Sequence, residues 1–178
     1  MTSEEKVSEV ISNFACSKDT DIENFIKTKA LIYEKKSKSR TFLLFSKEAM
    51  EIGEFQLLAY FSIAMQVLKI PESTSLSQIR KLDGLYSKKG GEPITEIPAF
   101  LIGQLGKNEM FSSEVSGDEI VEYALSVISR AREAVGGRVV FIECQDKPKL
   151  IGFYERNGFT VLRQDAEDLL VQMYLLID

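Results

Sequence analysis

Two stretches of the sequence decide the fold: AFLIGQL at residues 99–105 and VVFIECQDKPKLIGFYERNGF at residues 139–159. Each begins with a nearly continuous apolar run, which is typical of a strand in a parallel sheet that is covered on both faces. Between them, residues 117–135 place apolar side chains at intervals of three and four and end at a pair of glycines. This spacing predicts a long amphipathic helix, and the strand–helix alternation favours a parallel βαβ arrangement.

Further elements are expected on either side of this region, including an antiparallel hairpin before it and two final strands after it. The predicted fold class is therefore α/β, with a mixed sheet of six or seven strands, helices on both faces, and one domain spanning residues 1–178. The additional elements are helices over 21–36, 75–86 and 149–157, and strands over 41–47, 55–68, 160–163 and 169–176.

The composition narrows the chemistry that the protein can perform. Its 178 residues carry a net charge of −5 and include no histidine. The lack of histidine excludes imidazole-based triads and nearly every common zinc site, so no metal is expected. The two cysteines, Cys16 and Cys144, are expected to be free thiols, because the sequence shows no export signal. The apolar runs are too short to cross a bilayer, so we expect a cytoplasmic protein that does not associate with a membrane.

Basic residues are concentrated between positions 27 and 40, where Glu34 is the only acid. One interpretation is the solvated face and end of an amphipathic helix. The other is a local patch that contacts phosphates, although the net acidity argues against broad nucleic-acid binding. The basic residues are Lys27, Lys29, Lys35, Lys36, Lys38 and Arg40.

The strand at 99–105 runs into the polar residues Gly106, Lys107 and Asn108, and a helix follows from about Gly117. Such a strand–loop–helix presents unpaired backbone N–H groups and the positive end of a helix dipole, which suit a phosphate or pyrophosphate. The same geometry is common in proteins without any ligand there.

Tyr154 lies in the stretch GFYERNGF, after the second parallel strand. A structural interpretation makes it an ordinary amphipathic helix residue beside the core residues Phe153 and Phe159. A functional interpretation uses its place near the edge of the sheet where ligands bind. A tyrosine hydroxyl there can protonate a departing thiolate.

These motifs resemble the GNAT acetyltransferases. IPAFLIGQLGKNE with SGDEIVEYALSVI, and VVFIECQDKPKLIGFYERNGF, are similar to motifs A and B of that superfamily. The N-terminal half resembles the acetyltransferase toxins of bacterial toxin–antitoxin modules. It contains a Phe-x-Cys motif at 14–16, a helix around 22–26, and Ser-Arg-Thr at 39–41.

The resemblance implies an acyl-CoA-dependent N-acetyltransferase (EC 2.3.1 class) whose two central parallel strands splay apart around acetyl-CoA. Tyr154 would protonate the CoA sulfur, and the amine would be a small molecule, a protein N-terminus or an aminoacyl-tRNA. A tRNA would contact the basic stretch at 27–40, and a homodimer is a further expectation. Pantetheine would pair with the backbone of Leu105, Gly106 and Lys107, and the pyrophosphate would bind at Ser112, Val115, Ser116, Gly117 and Asp118.

The pyrophosphate loop departs from the family pattern Arg/Gln-x-x-Gly-x-Gly/Ala, since only Gly117 is retained. Glu114, Asp118 and Glu119 add negative charge there, and Ser116 and Glu119 have the spacing of a capping box. The alternative function is therefore a degenerate GNAT fold with weak or no CoA binding, which acts as a protein-interaction or regulatory module.

Overall fold

The computed structural model of the chain describes residues 3–165 and 170–177. A π-helical segment, Phe25–Lys29, joins α2 to α3, and a 3₁₀ turn, Glu109–Phe111, follows β5. The helices are α1 (Ser3–Ser12), α2 (Thr20–Asn24), α3 (Ala30–Lys35), α4 (Lys47–Glu51), α5 (Leu76–Asp83), α6 (Gly117–Val135) and α7 (Pro148–Arg156). The strands are β1 (Arg40–Phe45), β2 (Leu57–Lys69), β3 (Lys88–Lys89), β4 (Glu92–Pro93), β5 (Glu96–Lys107), β6 (Val139–Gln145), β7 (Thr160–Asp165) and β8 (Leu170–Leu176).

Six strands form one mixed sheet in the order β1-β2-β5-β6-β8-β7, and β3 and β4 form a separate two-stranded hairpin. The pairing of β5 with β6 is parallel, whereas β1–β2, β6–β8 and β7–β8 are antiparallel. This sheet, flanked by helices, confirms the α/β class with six strands. The antiparallel hairpin expected before the central strands is β1–β2, with the short helix α4 in its connection.

The order of the last strands is less simple than strand–helix alternation suggests. The crossover through α6 joins the neighbours β5 and β6, but the crossover through α7 places β7 beyond β8. Strand β8 therefore lies between β6 and β7 and is antiparallel to both. The strand predicted to begin at residue 169 starts at Leu170, and residue 169 itself lies outside the described residues. Helix α1 was not predicted.

The chain divides into two compact units, residues 1–64 with 103–125 and residues 65–102 with 126–178. A single domain over 1–178 stays a prediction. The first unit has an aromatic core in which Phe14 meets Tyr60 edge to face at 5.2 Å and Phe25 stacks parallel to Tyr60 at 6.3 Å. The second unit has a mainly aliphatic core, whose buried residues are Leu68, Ile70, Ile79, Leu82, Ile97, Ala99, Val139, Phe141 and Tyr174.

Gly106 lies near the end of β5 and is buried within the first unit. A Cβ atom on this residue would come within 2.5 Å of the Ile22 Cγ2, 2.7 Å of the Tyr60 Cε1 and 3.2 Å of the Phe14 Cζ. The Tyr60 hydroxyl is itself fixed by donating to the Ile22 carbonyl oxygen at 2.6 Å, so the ring has little freedom to retreat. Only glycine therefore fits at this position.

We predict that Gly106→Ala lowers the free energy of unfolding by about 1–3 kcal/mol, the usual cost of adding a methyl group to a packed core. The matched control is Gly152→Ala on α7, where a Cβ would meet nothing within 4 Å. This control should leave stability unchanged or raise it by up to about 1 kcal/mol, because alanine favours helix more than glycine does. Urea denaturation measures both values. Equal stabilities of the two variants would contradict the packing role of Gly106.

Candidate active site

The parallel register of β5 with β6 is short. It consists of Phe100 with Val140 and Leu101 with Phe141, although β5 continues to Lys107. The backbone N–H and C=O groups of residues 103–107 that face away from β2 therefore lie beyond the pairing of β5 with β6. These residues include Leu105, Gly106 and Lys107, which were assigned to pantetheine binding. The predicted splay of the two strands stays a prediction.

Side-chain hydrogen bonds of Asn108 and Glu109 hold the end of β5 against the segment that carries the Phe-x-Cys motif, and this set of bonds is called here the Asn108 clamp. The Asn108 side chain is almost fully buried, and its Oδ1 accepts from the backbone N–H groups of Ala15 (3.3 Å) and Met110 (3.2 Å). Its Nδ2 donates to the Leu57 carbonyl oxygen at 2.8 Å. Glu109 continues this clamp, since its carboxylate accepts from the N–H (2.9 Å) and the Oγ (2.7 Å) of Ser17. The hydrogen bonds from Ser17 lower the pKa of Glu109.

The clamp was missed by sequence reasoning, which named Asn108 only as part of a polar loop. Its partners lie up to 93 positions away along the chain, so no local pattern reveals them. The clamp also explains the Phe-x-Cys motif in structural terms. Phe14 is fully buried, and the Cys16 N–H donates to the Glu23 carboxylate at 2.8 Å. Burial and the nearby carboxylates raise the pKa of Cys16, which makes its thiol a poor nucleophile.

The loop before α6 is attached to β5 through Lys107, whose Nζ donates to the Ser112 carbonyl oxygen at 2.9 Å. Val115 is buried, whereas Ser112, Ser116 and Asp118 are exposed. The structure therefore brings the residues assigned to pantetheine and those assigned to pyrophosphate into one connected segment of the first unit.

Helix α6 caps itself. The Ser116 N–H donates to the Glu119 Oε2 at 2.7 Å, and the Glu119 N–H donates to the Ser116 Oγ at 3.1 Å. This reciprocal pair is the capping box that the spacing of the two residues predicts. The hydrogen bonds that Ser116 makes to the carboxylate, above all the one from its backbone N–H, lower the pKa of Glu119. Two of the amides at the helix start are thus already satisfied by the protein.

Tyr154 belongs to the second unit and lies on α7. Its ring is buried and makes edge-to-face contacts with Phe153 at 4.9 Å and Phe159 at 5.6 Å. Burial raises the pKa of its hydroxyl well above the ordinary value, and the negative charge of a Cys144 thiolate would raise it further. Burial also raises the pKa of Cys144, to about 11. Tyr154 therefore holds its proton throughout the neutral range, as a proton donor must.

The basic stretch at 27–40 is largely engaged within the protein. Lys27 pairs with Glu23 at 2.7 Å, Arg40 pairs with Glu34 at 3.1 Å, and Lys35 pairs with Glu4. Lys38 lies over the Tyr33 ring at 5.5 Å. These contacts favour the interpretation of a solvated helix face over that of a phosphate-binding patch.

The part of the chain that the structure describes contains no group of three or more cysteine, aspartate or glutamate side chains arranged to hold a metal ion. None of its helices is both long and apolar enough to cross a membrane. Both cysteines are free thiols, as expected.

The fold is that of the GNAT acetyltransferase toxins of toxin–antitoxin modules. AtaT complexed with acetyl-methionyl-tRNAfMet has a TM-score of 0.70 and 20% identity, over 93% of this chain and 86% of that chain. AtaTR bound with acetyl-CoA has a TM-score of 0.66 and 21% identity, and the match covers 92% of this chain and 84% of the AtaTR chain. A tyrosine-to-phenylalanine variant of KacT has a TM-score of 0.67 and 21% identity, and the match covers 91% of this chain and 85% of the KacT chain. No protein-family model and no curated protein matches the chain.

We predict that Glu119→Ala lowers the melting temperature at pH 7, because the capping box loses one of its two hydrogen bonds. The pKa of Glu119 is lowered in the folded state, so its contribution is complete above the unfolded value of about 4.3. It is lost as the pH falls through the folded value. The difference from the wild type should therefore vanish towards about pH 2.

The matched control is Glu122→Ala, an exposed glutamate on the same helix. Its effect on the melting temperature should be small at every pH. Equal effects of Glu119→Ala and Glu122→Ala at pH 7 would contradict the capping role.

Proposed function

We propose that the protein transfers an acetyl group from acetyl-CoA to a primary amine. The observation that carries this proposal is the GNAT fold, which extends over more than nine-tenths of the chain and is shared with AtaT. AtaTR was solved with acetyl-CoA bound, and AtaT was solved with acetyl-methionyl-tRNAfMet. Acetyl-CoA-dependent acetyl transfer is the activity that fits these neighbours.

The residues at the end of β5 and the start of α6 fit acetyl-CoA in part. Backbone groups of Leu105, Gly106 and Lys107 would pair with the amides of pantetheine, since the register with β6 does not use them. The diphosphate would bind at Ser112, Val115, Ser116, Gly117 and Asp118, of which Ser112, Ser116 and Asp118 are exposed and Val115 is buried. The Lys107 ammonium, next to Ser112, adds a positive charge there.

The chemistry is a direct attack. A bond forms between the amine nitrogen and the carbonyl carbon of the thioester, and the carbon–sulfur bond breaks. Tyr154 gives its hydroxyl proton to the departing sulfur and regains one from solvent, while the nitrogen releases its extra proton to solvent. Positioning of the two reactants supplies most of the rate, and the proton donor adds about 10²–10⁴-fold.

A small amine, a protein N-terminus and an aminoacyl-tRNA are the three acceptor classes for this reaction. The basic stretch at 27–40 gives little support to tRNA, since four of its six basic side chains have partners within the protein. Titration with each class, followed by mass analysis of the product, would identify the acceptor.

The second candidate function is a GNAT fold that no longer binds CoA and acts through a protein partner or in regulation. It is favoured by the capping box, in which Ser116 and Glu119 use the amides that a diphosphate would need. The exposed acids Glu114 and Asp118 add repulsion. Release of CoA thiol from acetyl-CoA in the presence of an acceptor would separate the enzyme from this alternative.

We predict that Glu114→Gln tightens acetyl-CoA binding, up to about fivefold, because it removes one like charge near the diphosphate. The matched control is Glu51→Gln, an exposed glutamate on α4, which should leave the affinity unchanged. Equilibrium binding at low salt measures both, and the gain should shrink as salt is added. An unchanged or weaker affinity of Glu114→Gln would remove this loop from the proposed site.

We predict that Tyr154→Phe lowers kcat by about 10²–10⁴-fold with little change in acetyl-CoA affinity, because it removes only the donated proton. Because the pKa of Tyr154 is raised, the wild-type rate should show no fall from its deprotonation up to about pH 10. The matched control is Tyr174→Phe, another buried tyrosine of the second unit, which should keep its activity. Turnover of Tyr154→Phe within about threefold of wild type would end the catalytic assignment.

A further inference from the structure

Residues 80–93 form a surface segment with four basic and two acidic residues in an otherwise acidic protein. Four cations in it, Arg80, Lys81, Lys88 and Lys89, are exposed, and none forms an ion pair within the described part of the chain. This contrasts with the stretch at 27–40, where most cations are paired. The segment, called here the basic hairpin, consists of the end of α5, a turn, and the strands β3 and β4.

The basic hairpin has a defined shape. Helix α5 ends at Gly84, in the left-handed region at φ 94°, and the Asp83 carboxylate accepts from the N–H groups of Leu85 (3.2 Å) and Tyr86 (2.8 Å). The Ile94 N–H then donates to the Ser87 carbonyl oxygen at 3.0 Å and closes the base of the hairpin. These hydrogen bonds fix the backbone on both sides of Tyr86.

The tip is a two-residue turn, Gly90 and Gly91, in which both residues have positive φ (63° and 94°). This is the geometry of a type I′ turn, which matches the twist of a hairpin. A Cβ atom on either glycine would meet nothing within 4 Å, so the tip lies open to solvent. Lys88 and Lys89 are therefore carried on a short, projecting element.

Tyr86 is 62% exposed and Leu85 is 60% exposed, although both are large apolar side chains. An exposed aromatic ring that is close in sequence to several unpaired cations is a combination that suits single-stranded nucleic acids. Ammonium and guanidinium groups contact phosphates, and a ring stacks on an unpaired base whatever its identity. A duplex offers no free base face for such a ring, and an acidic peptide or a lipid headgroup has no base to stack on it.

Two acids of the segment, Asp83 and Glu92, oppose this role. Glu92 is the cross-strand neighbour of Lys89 in the hairpin register and is exposed. Its charge weakens the attraction of Lys89 for a phosphate, so the intrinsic affinity should be modest. Removing the charge of Glu92 should therefore give a variant that binds nucleic acid more tightly than the wild type does.

We propose that the basic hairpin is a binding surface for single-stranded nucleic acid, in which Lys88 and Lys89 contact phosphates and Tyr86 stacks on a base. This goes beyond acetyl transfer, because the binding requires neither acetyl-CoA nor Tyr154. Its failure and that of the proposed enzymatic function are therefore separable: the first is read from nucleic-acid binding alone, the second from turnover of acetyl-CoA.

The experiment is fluorescence anisotropy of a labelled single-stranded RNA of about 20 nucleotides, long enough to cover a single binding surface. The full-length protein should bind it with an affinity that falls as salt rises. Lys88→Ala with Lys89→Ala should reduce the slope of log K against log salt by about 1.4, since each phosphate contact on a single strand contributes about 0.7. Tyr86→Ala should weaken binding about 5- to 100-fold.

Glu92→Gln should tighten binding, a gain that loss of folding cannot produce. The matched controls are Lys29→Ala with Lys36→Ala, which remove two exposed lysines of the other basic stretch, and Tyr123→Ala, an exposed tyrosine on α6. Each control should leave binding unchanged.

Several results would overturn the proposal. They are no saturable binding of the RNA, a loss confined to the Lys29 and Lys36 variants, equal binding of a duplex with no effect of Tyr86→Ala, and tighter binding of a polyglutamate peptide than of the RNA.

Discussion

The close approach of three side chains to Gly106 is the constraint on which the first unit depends. Tyr60, Phe14 and Ile22 come from β2, from the segment before α2, and from α2, and all three meet where β5 has no side chain. The edge-to-face contact of Phe14 with Tyr60 closes the same core. Because this core holds the segment at residues 14–22 against the end of β5, the Asn108 clamp can form. The loop that leads to α6 is then attached to β5 through Lys107.

Local patterns were enough to predict the elements that form the centre of the fold. The helical spacing over 117–135 matches α6 residue for residue, and the apolar runs locate β5 and β6. The capping box of Ser116 and Glu119 was also predicted, because its signal is a spacing of three residues. Apolar periodicity and capping act within a few turns of chain, which is why a single sequence reveals them.

Features that depend on distant partners could not be predicted in this way. The insertion of β8 between β6 and β7 depends on pairing across the sheet, and the Asn108 clamp joins residues 93 positions apart. The π-helical segment at Phe25–Lys29 interrupts a pattern that otherwise indicates one continuous helix. The sequence left both interpretations of the basic stretch at 27–40 open, because the partners of its cations include Glu4, which lies 31 positions from Lys35. The roles of Tyr154 and of the pyrophosphate loop come from resemblance and stay predictions.

Two effects of similar size compete at the start of α6. The helix dipole and its N–H groups attract a diphosphate by about 0.3–1 kcal/mol per effect, whereas each nearby carboxylate repels it by about 1 kcal/mol. Under the proposed function, binding of acetyl-CoA therefore depends on the rest of the cosubstrate, above all on the proposed pairing of pantetheine with β5. Calorimetric titration of the wild-type protein with acetyl-CoA tests this most directly. We expect saturable heat with one site per chain and competition by CoA. No heat up to about millimolar acetyl-CoA, with the protein folded, would contradict it.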